Sequence, residues 1–166
     1  MTKLIGACII FPKNIACYEL SGSEKLNQDK VAIWLKFVNL ECDKLSVEVL
    51  EPHGLTLTQY KILKFLLIKP FGTVRQVDIE EHFYIRNPTV TRVLQNLEKK
   101  GLIERQINPQ DNRSKVICLT EKAMKMEGLL YQLGNELEER LTANLTAEDK
   151  QELLRLLKKL LSRKES

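Results

Sequence analysis

The sequence predicts a mainly α-helical protein that carries one small β-hairpin. Leucine recurs throughout the chain, only 6% of the residues are aromatic, and the 166 residues include 7 glycines and 5 prolines, a composition that favours helices over a sandwich of short strands. Apolar residues recur at helical spacing along most of the chain. The pattern of one stretch predicts two short strands joined by a polar turn. The 43% hydrophobic content is enough for one compact domain with appended helices.

The first two helices are predicted on either side of a Pro-His-Gly break at residues 52–54. A long amphipathic helix is expected from Val31 to Leu50. A second helix is expected from about Leu57 to Lys69, because Thr56 and Gln59 have the spacing of a capping box. The apolar stripe of the first helix consists of Val31, Trp34, Leu35, Val38, Cys42, Leu45 and Val49.

A third helix is predicted from about Gln76 to Phe83, followed after a short turn by a fourth. The fourth helix has the clearest start signal in the chain, because Asn87 suits the capping position and Pro88 the first helical position. Gly101 ends it. Both helices have apolar residues that we expect to face the core: Val77, Ile79 and Phe83 in the third, and Val90, Val93, Leu94 and Leu97 in the fourth.

A β-hairpin and two leucine-rich helices complete the chain. Residues 102–107 and 114–119 have strand character, and the turn-rich residues 108–113 join them. Thr120 is placed to cap a fifth helix and Thr146 a sixth. Their apolar stripes are Ala123, Met126, Leu130, Leu133, Leu137 and Leu141, and then Leu153, Leu156, Leu157 and Leu160.

The formal net charge of +4 is concentrated in residues 86–119, about one fifth of the chain. Residues 1–85 hold 10 basic and 10 acidic side chains and residues 120–166 hold 9 of each, whereas residues 86–119 hold 7 basic and 3 acidic ones. A local positive excess favours a polyanionic partner, although an ordinary solvated face has the same appearance.

Two helices joined by about three residues and followed by a hairpin form a winged helix-turn-helix. An α-helix fits the major groove of B-DNA, and a narrow hairpin places an arginine in the minor groove. The outward face of the fourth helix then offers Thr89, Thr91, Arg92, Gln95 and Asn96 to double-stranded DNA. A winged-helix protein–protein module is the alternative, and it should lack the basic wing that Arg113 and Lys115 give this chain.

The stretch Leu55 to Leu119 resembles the MarR (multiple antibiotic resistance regulator) family of winged helix-turn-helix transcription regulators. The resemblance rests on residues 57–60, 87–92, 97–103 and 108–115, followed by Leu119 and Thr120. It implies a DNA-binding domain over residues 55–119, a first dimerisation helix over residues 28–54 and C-terminal dimerisation helices over residues 120–166. Residues 1–27 form an N-terminal extension without a family counterpart.

The resemblance also implies a function and assigns roles to residues. It implies a homodimer that binds a pseudo-palindromic operator. It also implies that this homodimer is a repressor, which a small ligand or thiol oxidation releases from the operator. Thr89, Thr91, Arg92 and Gln95 match the recognition helix, while Asp111 and Arg113 match the wing, where the family's Asp orients the Arg. Tyr84 departs from the small residue that the family has in the turn.

Two hypotheses about how release is triggered remain open, and for each the alternative is ordinary packing in the core. Trp34, Phe37, His53 and Tyr60 are candidates to line a cleft for a small aromatic or other apolar effector, yet aromatic residues at helical spacing also occur as core. Cys17 is a candidate peroxide-sensing thiol, yet a lone cysteine is often a small buried hydrophobe. Cys42 and Cys118 lie on apolar patterns, which indicates packing.

Several classes of function are not expected. The sequence has no nucleophile elbow, phosphate loop, dinucleotide fingerprint or paired catalytic carboxylates, so it predicts neither an enzyme nor a cofactor. His53 and His82 lack metal-ligand spacing, so no metal is expected. No apolar run approaches the ~20 residues that cross a membrane, and the 4 cysteines form no C-x-x-C pair, so we expect reduced thiols in the cytoplasm.

Overall fold

The computed structural model describes residues 30–108 and 111–162, and these contain the helices and the hairpin that the sequence predicts. The chain divides into two compact units, residues 1–39 and 40–166, and the described part of the first unit is the start of the first helix. The elements are α1 Val31–Leu50, α2 Leu57–Ile68, α3 Gln76–Phe83, α4 Asn87–Lys99, β1 Ile103–Asn108, β2 Asp111–Leu119, α5 Glu121–Lys125, α6 Glu127–Leu141 and α7 Ala147–Leu161. A short 3₁₀ turn, Glu51–His53, follows α1.

Threonine side chains cap the starts of α2, α5 and α7. The Thr56 hydroxyl accepts from the Gln59 backbone N–H, and the Gln59 side chain accepts from the Thr56 N–H, each over 3.3 Å, so the predicted capping box of α2 is confirmed. Thr120 caps α5 and Thr146 caps α7, as predicted. These bonds satisfy backbone donors that a helix start otherwise leaves to water.

Four local predictions are wrong. The hairpin turn is shorter than the predicted residues 108–113, because Asn108 pairs with Asp111 and β2 therefore begins three residues before the predicted strand. Arg86 occupies the capping position of α4, with Asn87 as its first residue, because the Asn87 side chain bonds to α3 instead. The predicted fifth helix is broken at Met126, whose N–H bonds to the Ala123 carbonyl three residues back and tightens the last turn of α5. Val77 is exposed, because it lies about 200° around α3 from the buried Ile79.

The core of the second unit lies between α2, α4, the hairpin and α6. Its fully buried large side chains include Ile62, Leu63, Leu94, Leu97 and Leu130. These residues come from segments far apart in the sequence, so the helix-turn-helix and the start of the C-terminal helices share one apolar core.

The hairpin is antiparallel and attached to the loop before α3. Ile103 pairs with Leu119, and the register continues to Ile107 opposite Lys115. The Ile117 N–H donates to the Val74 carbonyl over 2.7 Å, and Arg75 forms a bridge with Val116. The wing is therefore anchored beside the start of α3.

Within the described ranges, no helix combines the length and the apolar character needed to cross a membrane.

The contact between α2 and α6 requires a glycine. The Tyr60 hydroxyl donates to the Leu130 carbonyl over 3.2 Å, and burial raises the pKa of this phenol. A Cβ atom at Gly134 would lie 2.5 Å from the Tyr60 hydroxyl oxygen, closer than atoms pack. Gly128, near the start of the same helix, has open space around it.

We predict opposite effects of alanine at these two glycines. Gly128→Ala should raise the free energy of unfolding by up to about 1 kcal/mol through helix propensity. Gly134→Ala should lower it by about 1–3 kcal/mol, because the added methyl displaces the Tyr60 ring. Urea denaturation followed by circular dichroism measures both changes. In a Tyr60→Phe background the Gly134→Ala penalty should shrink, and a Gly134→Ala protein as stable as Gly128→Ala would contradict the contact.

Candidate DNA interface

The turn between α3 and α4 requires an unusual backbone conformation. Tyr84 ends α3 with φ 53° and ψ 37°, in the left-handed region, and its N–H donates to the Glu80 and Glu81 carbonyls. The Ile85 N–H also donates to the Glu80 carbonyl, over 3.1 Å. Tyr84 thus adopts a left-handed conformation that small residues such as glycine adopt readily. A bulky side chain in this conformation carries a steric cost. The ring is 96% exposed.

One face of α4 is buried and the opposite face is exposed. Val90, Leu94 and Leu97 have no exposed surface. As a result the helix presents four of the predicted contact residues to solvent, namely Thr89, Arg92, Gln95 and Asn96, together with Lys99. Lys99 lies seven residues after Arg92, which places the two cations two helical turns apart on one side.

Thr91 has a different environment from the other predicted contact residues. Its hydroxyl accepts from Gln76 Nε2 over 2.9 Å and donates to Asn87 Oδ1 over 3.2 Å. The residue is half-buried, and its polar group is engaged by a side chain of α3.

The wing exposes Asp111, Arg113 and Lys115. Asp111 Oδ1 accepts from the backbone N–H of Arg113 over 3.0 Å, and the Ser114 hydroxyl donates to the Asp111 carbonyl over 3.2 Å. Among the described residues no ion pair joins the Asp111 carboxylate to the Arg113 guanidinium. Asp111 therefore shapes the turn that carries Arg113 and leaves the guanidinium to point outward.

Two of the 7 basic residues in 86–119 are engaged within the protein. Lys100 Nζ donates to the Gly54 carbonyl and, over 2.8 Å, to Gln59 Oε1. Arg105 Nε lies 3.2 Å from a carboxylate oxygen of Glu98. Among the described residues of 86–119, the exposed cations outside these internal contacts are Arg86, Arg92, Lys99, Arg113 and Lys115.

Arg86 and Lys99 are exposed beside the predicted contact residues, although the sequence did not predict them as contacts. The spacing of seven residues between Arg92 and Lys99 was a signal available in the sequence. Arg86 had no comparable signal, because its position directly before α4 depends on a helix start that was predicted one residue too late.

The candidate effector residues lie in both units. In the first, Trp34 and Phe37 contact each other edge to face, with ring centroids 6.1 Å apart. In the second, His53 is exposed in the 3₁₀ turn, and Tyr60 packs against the core with its hydroxyl bonded to α6. The effector cleft remains a prediction.

The cysteines within the described ranges are poor candidates for a peroxide sensor. Burial raises the pKa of the Cys118 thiol, with a further contribution from Glu104, and burial and Asp43 raise that of Cys42. A raised pKa keeps the thiol protonated, and the thiolate is the form that peroxide attacks. Cys17 lies outside the described residues, as does the rest of the N-terminal extension. The described part of the chain contains no group of three or more metal-ligating side chains placed around one point.

Comparison with known proteins agrees with this geometry. A family model described as the MarR family matches residues 55–115. The multiple antibiotic resistance protein MarR of Salmonella typhimurium is 36% identical over 125 residues, which are 75% of this chain and 85% of that protein. The chain belongs to the MarR family. It is therefore a DNA-binding transcription regulator and not an enzyme, and the predicted family is confirmed.

Solved MarR-family structures share the fold. A cysteine-to-serine mutant of E. coli MarR, complexed with operator DNA, is 32% identical, with a TM-score of 0.71 over 80% of this chain and 94% of that one. MepR of S. aureus, solved as a DNA complex, is 28% identical, with a TM-score of 0.70 over 80% of this chain and 96% of that one. The predicted winged helix-turn-helix fold is thus confirmed.

We predict that Tyr84→Asn stabilises the protein. Asparagine adopts the left-handed conformation at lower cost than tyrosine, and the exposed ring has little packing to lose. The free energy of unfolding should rise by about 0.5–1 kcal/mol, measured by urea denaturation. Tyr84→Val, with a branched Cβ, is the matched control and should destabilise. A Tyr84→Asn protein less stable than the wild type would contradict the strained turn.

Proposed function

We propose that this MarR-family protein binds a pseudo-palindromic operator as a homodimer and represses transcription until a small ligand or thiol oxidation releases it. The observation that carries the proposal is the arrangement of charge on the winged module. The buried face of α4 turns Arg92 and Lys99 outward, while internal contacts engage Lys100 and Arg105.

The side chains of the module suit different parts of a DNA duplex. Arg92, Gln95 and Asn96 have the donors and acceptors that read base edges in the major groove. Arg113 at the exposed wing suits the minor groove, where negative potential is greatest when the groove is narrow. Arg86, Lys99 and Lys115 supply charge for phosphates, which position the protein without reading sequence.

The homodimer is supported by apolar surface on the terminal helices. α7 contains no buried residue. Its leucines are 43–80% exposed at Leu153, Leu154, Leu156, Leu160 and Leu161. In the described part of the first unit, Val31, Trp34, Leu35 and Val38 are also exposed. A second copy of the chain is the partner that a two-fold symmetric operator implies, and it would cover the same surface on both copies.

Release is assigned to the residues that the sequence singled out. An apolar effector would bind at Trp34 and Phe37 of the first unit or at His53 and Tyr60 of the second. The oxidation route rests on Cys17, because the raised thiol pKa values of Cys42 and Cys118 disfavour their reaction. Operator affinity measured with hydrogen peroxide, on the wild type and on Cys17→Ser, separates the two routes, and repeating it with small aromatic acids tests the first.

The experiment that tests the proposal is selection of bound sequences from random duplexes, followed by a salt titration. A DNA-binding dimer should select a palindromic sequence and lose affinity steeply as salt rises. A winged module that binds only proteins would select nothing and show no affinity for DNA at low salt. That result would overturn the proposal.

We predict that Arg92→Ala and Arg113→Ala weaken binding in different ways. Arg113→Ala should cost about 5- to 100-fold in affinity and flatten the preference for A·T-rich flanks, because minor-groove readout distinguishes A·T from G·C. Arg92→Ala should relax discrimination within the half-site, or reduce the salt slope by about one if it contacts phosphate. Fluorescence anisotropy on the selected duplex measures both.

The matched control for these variants is Arg155→Ala. Arg155 is also exposed, but it pairs with Glu152 on α7. The Arg155→Ala variant should therefore have the DNA affinity of the wild type. Wild-type affinity and salt dependence in both Arg92→Ala and Arg113→Ala would show that this face does not contact DNA.

We predict that Leu156→Glu on α7 converts the dimer to monomers. Leu156 is 47% exposed, and a carboxylate there would be buried without a partner at the interface. Gln151→Glu adds the same charge on the opposite side of α7 and should leave the dimer intact. Analytical ultracentrifugation at micromolar concentration measures the mass of each variant. A Leu156→Glu protein that sediments like the wild type would contradict an interface through this face.

A further inference from the structure

Four side chains between α3 and α4 form a closed ring of hydrogen bonds. Gln76 Nε2 donates to Glu80 Oε1 and to Thr91 Oγ1, each over 2.9 Å. Asn87 Nδ2 donates to the same Glu80 oxygen over 2.9 Å, and the Thr91 hydroxyl donates to Asn87 Oδ1 over 3.2 Å. We call Gln76, Glu80, Asn87 and Thr91 the polar ring.

The polar ring links one turn of each helix. Gln76 and Glu80 are four residues apart on α3, and Asn87 and Thr91 are four residues apart on α4, so each pair lies on one side of its helix. Two bonds of the ring run within a helix, and two cross from α3 to α4. The crossing bonds reach Asn87 and Thr91, the first and fifth residues of α4, on either side of Thr89.

Apolar contacts alone would hold α3 and α4 together with less directional control. Ile79, Val90 and Leu94 are fully buried, but apolar burial depends on area and hardly on direction. Hydrogen bonds weaken steeply when their angle changes. The polar ring therefore restricts how far α4 can rotate or slide against α3.

We propose that the polar ring is the element that sets the angle at which α4 enters the major groove, with Glu80 as its central positioning residue. This inference rests on the proposed function. It assigns Thr91 and Asn87 to orienting α4, while Arg92, Gln95 and Asn96 contact the DNA. Base readout requires donors placed to within a fraction of an ångström, whereas phosphate attraction does not, so the polar ring should control specificity more than affinity.

The charge of Glu80 makes this role separable from a general effect on folding. A carboxylate beside the start of α4 is favourable for the helix dipole but repels the phosphates of DNA. Its removal should therefore strengthen binding to any duplex while it weakens discrimination between duplexes. A variant that merely unfolds would lose both.

The first test compares Glu80→Met with Glu80→Gln and Glu81→Met. Affinities are measured by fluorescence anisotropy for the duplex selected from the random library and for a scrambled duplex of equal length. Glu80→Met should bind the scrambled duplex about two- to fivefold more tightly and lower the ratio of selected to scrambled affinity on the order of tenfold. Glu80→Gln keeps an acceptor oxygen and should hold the ratio within about twofold.

The matched control is Glu81→Met. Glu81 is the neighbouring exposed residue, and within the described residues its carboxylate takes no part in the polar ring. The variant removes the same charge, so it should strengthen scrambled-duplex binding without changing the ratio. A Glu80→Met protein with the wild-type ratio would overturn the inference.

A second test exchanges donor and acceptor without changing net charge. Asn87→Asp places a carboxylate opposite Glu80 and should lower the ratio, because neither group can then donate. Combining it with Glu80→Gln restores a donor opposite an acceptor and the wild-type charge. The double variant should regain the wild-type ratio, which also decides the matter where Glu80→Met fails to fold.

The failures are distinguishable. A double variant as impaired as Asn87→Asp alone would overturn the inference while wild-type binding still supports the proposed function. A wild-type chain with no preference among duplexes would overturn the proposed function, and the inference with it.

Discussion

The arrangement of the winged module depends on the burial of one face of α4. Val90, Leu94 and Leu97 are without exposed surface, and burying a side chain of this size contributes about 1.5–3 kcal/mol. A rotation of α4 that exposed them would cost much of the stability of a small domain. The outward direction of Arg92, Gln95 and Lys99 follows from this burial. Within the range of rotation that this burial allows, the polar ring sets the angle of α4.

The charges of the module divide into structural and exposed groups according to their neighbours. Lys100, at the end of α4, reaches back to the Gly54 carbonyl and to Gln59, while its own carbonyl accepts from Lys122. It therefore joins α4 to the start of α2 and to α5. Arg105 on β1 pairs with Glu98 on α4. The cations left exposed are those on the outer face of α4, before its first turn and on the wing, where a polyanion can approach them.

Much of the fold was predictable because its signals are local. The capping box of Thr56 and Gln59, the caps of Thr120 and Thr146 and the apolar stripe of α4 are each encoded within a few residues. The features that sequence reasoning missed depend on partners elsewhere in the chain. Asn87 does not cap α4, because its side-chain amide donates to Glu80. The Thr91 hydroxyl is bonded, because Gln76 lies opposite it and donates to it. Lys100 and Arg105 contribute to the charge excess counted from the sequence, but the sequence does not show that Gln59 and Glu98 bind them. Periodicity shows which side of a helix is polar, but it does not show which polar groups are already bonded.

A hydroxyl-radical footprint of the 166-residue chain on the selected duplex tests most directly whether α4 and the wing of two copies dock on DNA together. Two recognition helices related by two-fold symmetry enter successive major grooves on one face of the duplex. The account predicts two equivalent protected stretches centred about 10 base pairs apart, with further protection in the flanking minor grooves where the wings lie. A single asymmetric protected stretch, or protection without two-fold symmetry, would contradict it.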